Sequence, residues 1–347
     1  MSRTESELQA GLDDDFKKVA ESLRAIFVGA ATRFRGRATH TYGAGARGEA
    51  RICVPIGFPD NDFFKPGKTF PVILRHSSPG GQEDDRTRDG AAASIKFYET
   101  TADPTQLGFH DIMMNTGRAL FVRTARAFHT MVTTPNPERI EKLLKPGILI
   151  DSILSEGYRN GGSFTDFYYH SQICYEFTDL SGTMHYLRYR LINGDRGPER
   201  GLYPQSWKPN GITWYPKLDD DFRAHDFKRQ DFLQRVTHGG LNYLLQVQLR
   251  PGDDPEAVNC TGIWDPQRFP WLDVAELHLN QVLTTDELDV LELDANRTHP
   301  CVALPLATTG LWSGLQADNH ASLGHARALV YWAARKGRAD APKPHVN

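Results

Sequence analysis

The chain has 347 residues, 24% of them charged and 39% hydrophobic, with a formal net charge of -3. That is enough to bury a sizeable core as one large domain or two ordinary ones. The balance provides no basic field for nucleic acid, and no stretch approaches the ~20 apolar residues of a membrane-spanning helix. Cys53, Cys174, Cys260 and Cys301 lie too far apart in sequence for a zinc ribbon or a disulfide framework, so reduced, buried thiols are expected.

In chain order, Leu8, Leu12, Phe16, Val19, Leu23 and Phe27 recur at helical spacing against Asp13 to Asp15, Lys17 and Lys18, which predicts one leading amphipathic helix over residues 1–30. This stretch has neither the basic start nor the apolar run of a signal peptide, so a cytoplasmic chain is expected. From Arg37 to Pro55 the residues are short, β-branched or glycine, and Phe70 to Leu74 is a compact apolar run. Both read as sheet, with His40 on a strand. Ala119 to Val122, Met184 to Tyr189 and Tyr243 to Leu249 continue the strand pattern, broken by turn clusters at Asn193-Gly194-Asp195 and Pro251-Gly252-Asp253-Asp254. Helices are expected around Pro137 to Leu144, Asp219 to Leu233 and Gly324 to Gly337. Dispersed strands with helices clustered toward the ends of the chain point to an α+β fold around a closed antiparallel sheet.

Two places carry chemistry. On a helix, Arg327 and Tyr331 fall on one face, four residues apart. A phenol has a solution pKa of about 10 and binds ferric iron as phenolate, a form that a neighbouring fixed positive charge favours. Arg335 and Arg338 follow on the next turns and complete a cation cluster suited to haem propionates. Early in the chain, His40 precedes Gly43, Ala44 and Gly45, whose lack of bulk lets a flat ligand approach closely. A strictly regular strand would put Arg37 and His40 on opposite sides, so an irregular stretch is expected there.

Taken in order, four segments resemble the haem catalase superfamily. They are Arg37-Ala38-Thr39-His40-Thr41-Tyr42-Gly43-Ala44-Gly45-Ala46, then Arg75-His76-Ser77 with Arg86-Thr87-Arg88-Asp89-Gly90 and Lys96-Phe97-Tyr98, then Asp111 to Gly117 with Arg123 and Phe128, and finally Arg327 to Tyr331. The resemblance runs from about Arg35 to Arg338 and takes in Leu244 to Gln248, Ile263-Trp264-Asp265 and Leu279-Asn280. It implies a catalase-like closed antiparallel β-barrel with flanking helices and a buried ferric haem b, as a single haem domain over residues 31–347.

Position by position, the resemblance makes His40 the distal histidine, Asn115 the distal amide and Tyr331 the proximal iron ligand, supported by Arg327. Arg37, Arg75 and Arg338 match propionate partners, Ser77 the hydroxyl that orients the distal imidazole, and Phe128 the ring over the haem face. Thr39 stands where catalases carry valine, and this Thr-His pair is similar to the catalase-related allene oxide and epoxyalcohol synthases. A threonine hydroxyl bonded to the imidazole would bias the ring against the two-peroxide cycle. Tyr331-Trp332-Ala333-Ala334 departs from the catalase tail, the length leads us to expect a protein without the long arms and added C-terminal domain of larger catalases, and Met113-Met114 suits a lipid-sized pocket. The implied activity is conversion of a fatty acid hydroperoxide, through an alkoxyl radical, to an allene oxide or an epoxyalcohol. A small catalase or peroxidase acting on hydrogen peroxide, or a haem carrier without turnover, is the alternative. The superfamily commonly forms dimers or tetramers, so a homo-oligomer is also an expectation.

Overall fold

A computed structural model describes residues 2–34, 36–78, 84–87, 90–135, 157–202, 219–308 and 314–340, with side chains to residue 337. The expected leading helix is two helices. In α1 (Glu5–Gln9), Thr4 and Glu7 form a reciprocal capping box, and the chain then turns at Gly11, whose φ of +69° is adopted most readily by a residue without Cβ. Helix α2 (Asp14–Phe34) follows and buries Phe16, Val19, Ala20, Leu23 and Ala31 along one stripe. It runs past the expected boundary at residue 30.

Ten strands are described: β1 (Gly43–Ile52), β2 (Thr69–Ser77), β3 (Ala92–Phe97), β4 (His110–Thr116), β5 (Tyr169–His170), β6 (Tyr175–Thr178), β7 (Met184–Asn193), β8 (Leu241–Pro251), β9 (Leu272–Val282) and β10 (Val302–Ala303). Eight of them run β7-β5-β4-β3-β2-β1-β9-β8, all antiparallel, and β8 pairs back onto β7 to close the barrel. Closure leaves the barrel wall without a free edge. Strands β6 and β10 extend from β7 outside the ring. In β7, Leu187, Tyr189 and Leu191 join the central core while Arg188 and Arg190 take the opposite face, the period-2 pattern expected of a half-buried strand. Gly48 sits at a bulge where β1 crosses β9, and a Cβ there would collide with the His278 carbonyl.

Helix α3 (Ala125–Thr133) is capped by Thr124, α4 (Phe227–Gly239) packs on β1 and β9, α5 (Thr285–Val290) is short, and α6 (Ser322–Asp340) ends the described chain. Three expectations need correction or fall outside the structure. Ala119 to Val122 is not a strand: Gly117 turns the chain at φ +93° after β4, and Leu120 N–H bonds to the Cys260 carbonyl instead of a ladder partner. Helix α4 begins at Phe227 rather than Asp219, because the Asp221 carboxylate binds Arg223 N–H and its guanidinium in a local turn that competes with a helix. Asp85 then accepts from Lys228 N–H and Arg229 N–H in the first turn of α4. The helix expected at Pro137 to Leu144 lies outside the described residues.

Helices α2 and α6 run side by side, with Phe16 against His325 and Arg24 over the Trp332 ring. Their apolar faces and α3 form a second core of Phe16, Leu23, Ala125, Ala326 and Val330. All four cysteines are free thiols. Among the described residues no helix is long and apolar enough to cross a membrane. The architecture is α+β, as expected, and it leaves a cavity between the barrel and these three helices.

Candidate active site

The cavity measures about 1080 Å³, slightly above the ~300–1,000 Å³ usual for ligand sites. Strands β2, β3 and β4 supply one wall through Arg75, Ser77, Ser94, Met113 and Asn115, and helices α2, α3 and α6 supply the other through Phe27, Phe128, Arg327 and Tyr331. Arg37, Thr39 and His40 reach it from the segment that precedes β1. Nine of the ten residues to which the resemblance gives site roles therefore line one cavity. The tenth, Arg338, lies on α6, but its side chain is outside the described residues.

His40 is not on a strand. Residues 36–42 are irregular, and His40 takes φ +57°, an unusual conformation for a residue with a side chain. Two groups hold the turn. Arg75 Nη2 donates to the carbonyls of His40 at 2.7 Å and Thr41 at 3.1 Å, and His40 Nδ1 meets Ser77 Oγ at 3.2 Å. The ring is half-buried and its exposed remainder faces the cavity. Burial, then the positive charges of Arg75, Arg327 and Arg37, push its pKa down to about 3. His40 is thus a neutral imidazole at physiological pH, able to accept a proton.

The hydroxyl-to-imidazole bond expected of Thr39 is not formed. Thr39 is exposed to the cavity, and among the described residues the only hydrogen-bond partner of the His40 ring is Ser77. Arg37 lines the cavity while its Nη2 donates to the carbonyls of Leu288 at 2.7 Å and Leu291 at 2.8 Å. Phe128 stacks on Phe27, centroids 6.2 Å apart.

On α6, Arg327 Nη2 donates to the Tyr331 hydroxyl at 3.2 Å, the helical spacing bringing the pair together as expected. Burial opposes the Arg327 charge, but the Tyr331 and Tyr175 phenols hold its pKa above the usual arginine value. Arg327 therefore remains a fixed cation beside the phenol. Among the described residues no three His, Cys, Asp or Glu side chains are gathered to hold a metal ion. A single phenol backed by Arg327 could serve as the protein ligand of an iron otherwise held by a macrocycle.

The acidic partners of Arg335, and one further residue, escaped the sequence reading. Arg335, one turn beyond Tyr331, bridges Glu292 at 3.5 Å and Asp294 at 3.4 Å, and Arg335 and Glu292 both line the cavity. Gln172 also lines it, and its side chain accepts from Asn115 Nδ2 at 3.3 Å. The spacing after Tyr331 marks Arg335 but not its pairing with Glu292 and Asp294, and no sequence pattern marks Gln172, since these contacts join distant segments.

A closed eight-stranded barrel with flanking helices and this cavity defines a catalase-like fold. It superposes on a fungal catalase with a TM-score of 0.59, covering 83% of this chain and 57% of that one, and on a bacterial catalase with a TM-score of 0.61, covering 90% and 60%, each at 18% identity. No protein-family model matches the sequence. It is 33% identical over 332 residues, 95% of the chain, to the linolenate 9R-lipoxygenase of Nostoc sp.. It is 30% identical over 336 residues, 94% of the chain, to the allene oxide synthase-lipoxygenase protein of Plexaura homomalla. The matches span 42% and 30% of those relatives' own lengths. An uncharacterized protein of Sinorhizobium fredii, y4iK, is 46% identical over 244 residues, 67% of this chain and all of that protein. The chain belongs to the catalase superfamily, in the catalase-related branch that contains the Nostoc and Plexaura proteins.

Proposed function

We propose that this chain is a haem-dependent enzyme that converts fatty acid hydroperoxides to allene oxide or epoxyalcohol products. The observation that carries the reading is the convergence of His40, Asn115, Arg327 and Tyr331 on one largely apolar cavity. Tyr331 would ligate the iron of a ferric haem b, with Arg327 stabilising its phenolate. Arg37, Arg75 and Arg338 would hold the propionates, and Phe128 would pack on the haem face. The cofactor would supply the redox-active iron that breaks the O–O bond.

The protein's own groups prepare the substrate. The neutral His40 imidazole accepts the hydroperoxide proton, and Ser77 holds that ring in place through Nδ1. Asn115 donates an N–H to a peroxide oxygen and orients the O–O bond. Met113, Met114, Phe121 and Met131 offer an adaptable apolar lining for an acyl chain. Thr39, with no bond to the imidazole, acts on the substrate directly from the cavity wall. Residues 31–347 form the haem domain in this reading, to which α2 adds Leu23 and Phe27, and the enzyme works in the cytoplasm.

The His40–Ser77 pair would serve hydrogen peroxide equally well, so a small catalase or peroxidase is the second reading. Hemin-loaded protein incubated with linoleate hydroperoxide, followed by product analysis, decides between them. Allene oxide hydrolysis products or epoxyalcohols are expected. Vigorous oxygen release from hydrogen peroxide with the lipid untouched overturns the lipid substrate. A ferric spectrum that Tyr331→Phe leaves unchanged overturns the ligand assignment.

A further inference from the structure

We propose that Gln172 is a positioning residue that fixes which end of the Asn115 carboxamide is turned to the substrate. Gln172 is 5% exposed and sits at φ +61°, one of only three non-glycine residues at positive φ among those described. His40 is another, so two of these three unusual backbones flank one cavity. The two-residue strand β5 pairs His170 with Asn115 in β4, and Gln172 occupies the turn just beyond.

The Gln172 amide has only one workable orientation. Its Nε2 faces three backbone carbonyls at the end of β4: Thr116 at 3.1 Å, Gly117 at 3.2 Å and Ala119 at 3.4 Å. Exchanging its nitrogen and oxygen would set a carbonyl oxygen against three others and leave buried acceptors without donors. The oxygen Oε1 is therefore committed to the other side, where it meets Asn115 at 3.3 Å. An acceptor there requires a donor opposite, so Asn115 must present Nδ2 and not Oδ1. The flipped Asn115 would oppose oxygen to oxygen.

This matters because an asparagine amide has two identities. With one Nδ2 hydrogen engaged by Gln172, the second remains for a ligand in the cavity. Flipped, the side chain would offer that ligand a different edge. The three carbonyls thus select the Gln172 orientation, Gln172 selects that of Asn115, and the unusual turn at residue 172 keeps the relay in place. The inference rests on the proposal above, in which Asn115 donates to the hydroperoxide.

The test combines a double-mutant cycle with side-chain amide NMR. In hemin-loaded protein, Gln172→Met should lower kcat for linoleate hydroperoxide about tenfold or more while KM changes less than about twofold. In an Asn115→Ala background the same change should have no further effect on kcat. An equal loss in both backgrounds would show a merely structural clip and overturn the proposal. In ¹⁵N-labelled protein without hemin, one Nδ2 hydrogen of Asn115 should be protected from exchange in the wild type and lose that protection in Gln172→Met. Unaltered Asn115 resonances in the variant overturn the proposal. Should the variant fail to fold, the wild-type spectrum alone decides, because rapid exchange of both Asn115 hydrogens refutes the bond. If the wild type consumes no hydroperoxide, the NMR arm still tests the relay, separating its failure from that of the proposed activity.

Discussion

Acid should unfold this protein by charging rings that its fold keeps neutral, and His40 offers the sharpest single test. Its folded pKa is about 3, with burial the main cause, against 6.5 for a ring in solution. The unfolded ring takes up a proton near pH 6.5 and the folded one only near 3. Stability from this group is therefore fully present above 6.5 and is lost as pH falls from 6.5 toward 3. At pH 5 an unfolded imidazole gains roughly 2 kcal/mol from protonation that the folded ring does not share. His76 is likewise pushed down to about 3 and His299 and His325 to about 4, while His110 and His170 lie well below the usual value, burial being the largest cause in each. Each of these rings destabilises the fold in the same direction as His40 as the pH falls.

Urea denaturation followed by circular dichroism, on hemin-free protein at pH 7.5 and 5.0, isolates the His40 contribution when wild type is compared with His40→Asn. Asparagine tolerates the positive φ at this position, and the remaining histidines are common to both proteins. The wild type should lose about 2 kcal/mol more than the variant across this interval. Parallel losses would mean that the folded ring titrates near 6.5, and would refute both the neutral base and its assignment as proton acceptor.

Two further expectations follow from the described contacts. Thr39→Val should shift the ratio of allene oxide to epoxyalcohol products while leaving the pH dependence of stability superimposed on the wild type, since Thr39 makes no bond to the ring. A change in acid stability would restore the hydroxyl-to-imidazole link. Lys96→Met should lower stability by about 3 kcal/mol in urea denaturation, because Lys96 and Asp111 are fully buried and pair at 3.0 Å. A loss below about 1 kcal/mol would show that Arg297, 2.8 Å from Asp111, satisfies that carboxylate alone.

The residue pattern exposed the parts of this molecule whose period or spacing is local. Alternation in β7 and β8 marks the barrel, and four-residue spacing puts Arg327 on Tyr331. What stayed hidden depends on partners far along the chain. The positive φ of His40 is held by Arg75 and Ser77 of β2, so no local signal at residue 40 announces it. The helical pattern from Asp219 loses its first turns to the Asp221–Arg223 bond, a local competitor that periodicity does not register. Gln172 carries no helical, strand or glycine signal for its turn, and its importance emerges only once β4 and β5 pair.

The pairing of α2 with α6 bears on biosynthesis. His40 lies just beyond the first long helix and Tyr331 on the last described one, while the His325 ring meets the Leu8 carbonyl at 2.7 Å. A nascent chain halted before α6 would thus carry the apolar barrel wall of the cavity without its helical cover and without the phenol. On the haem reading proposed above, cofactor capture would have to wait until α6 has been delivered, and truncation upstream of residue 322 should yield a sticky, colourless product rather than a weaker enzyme.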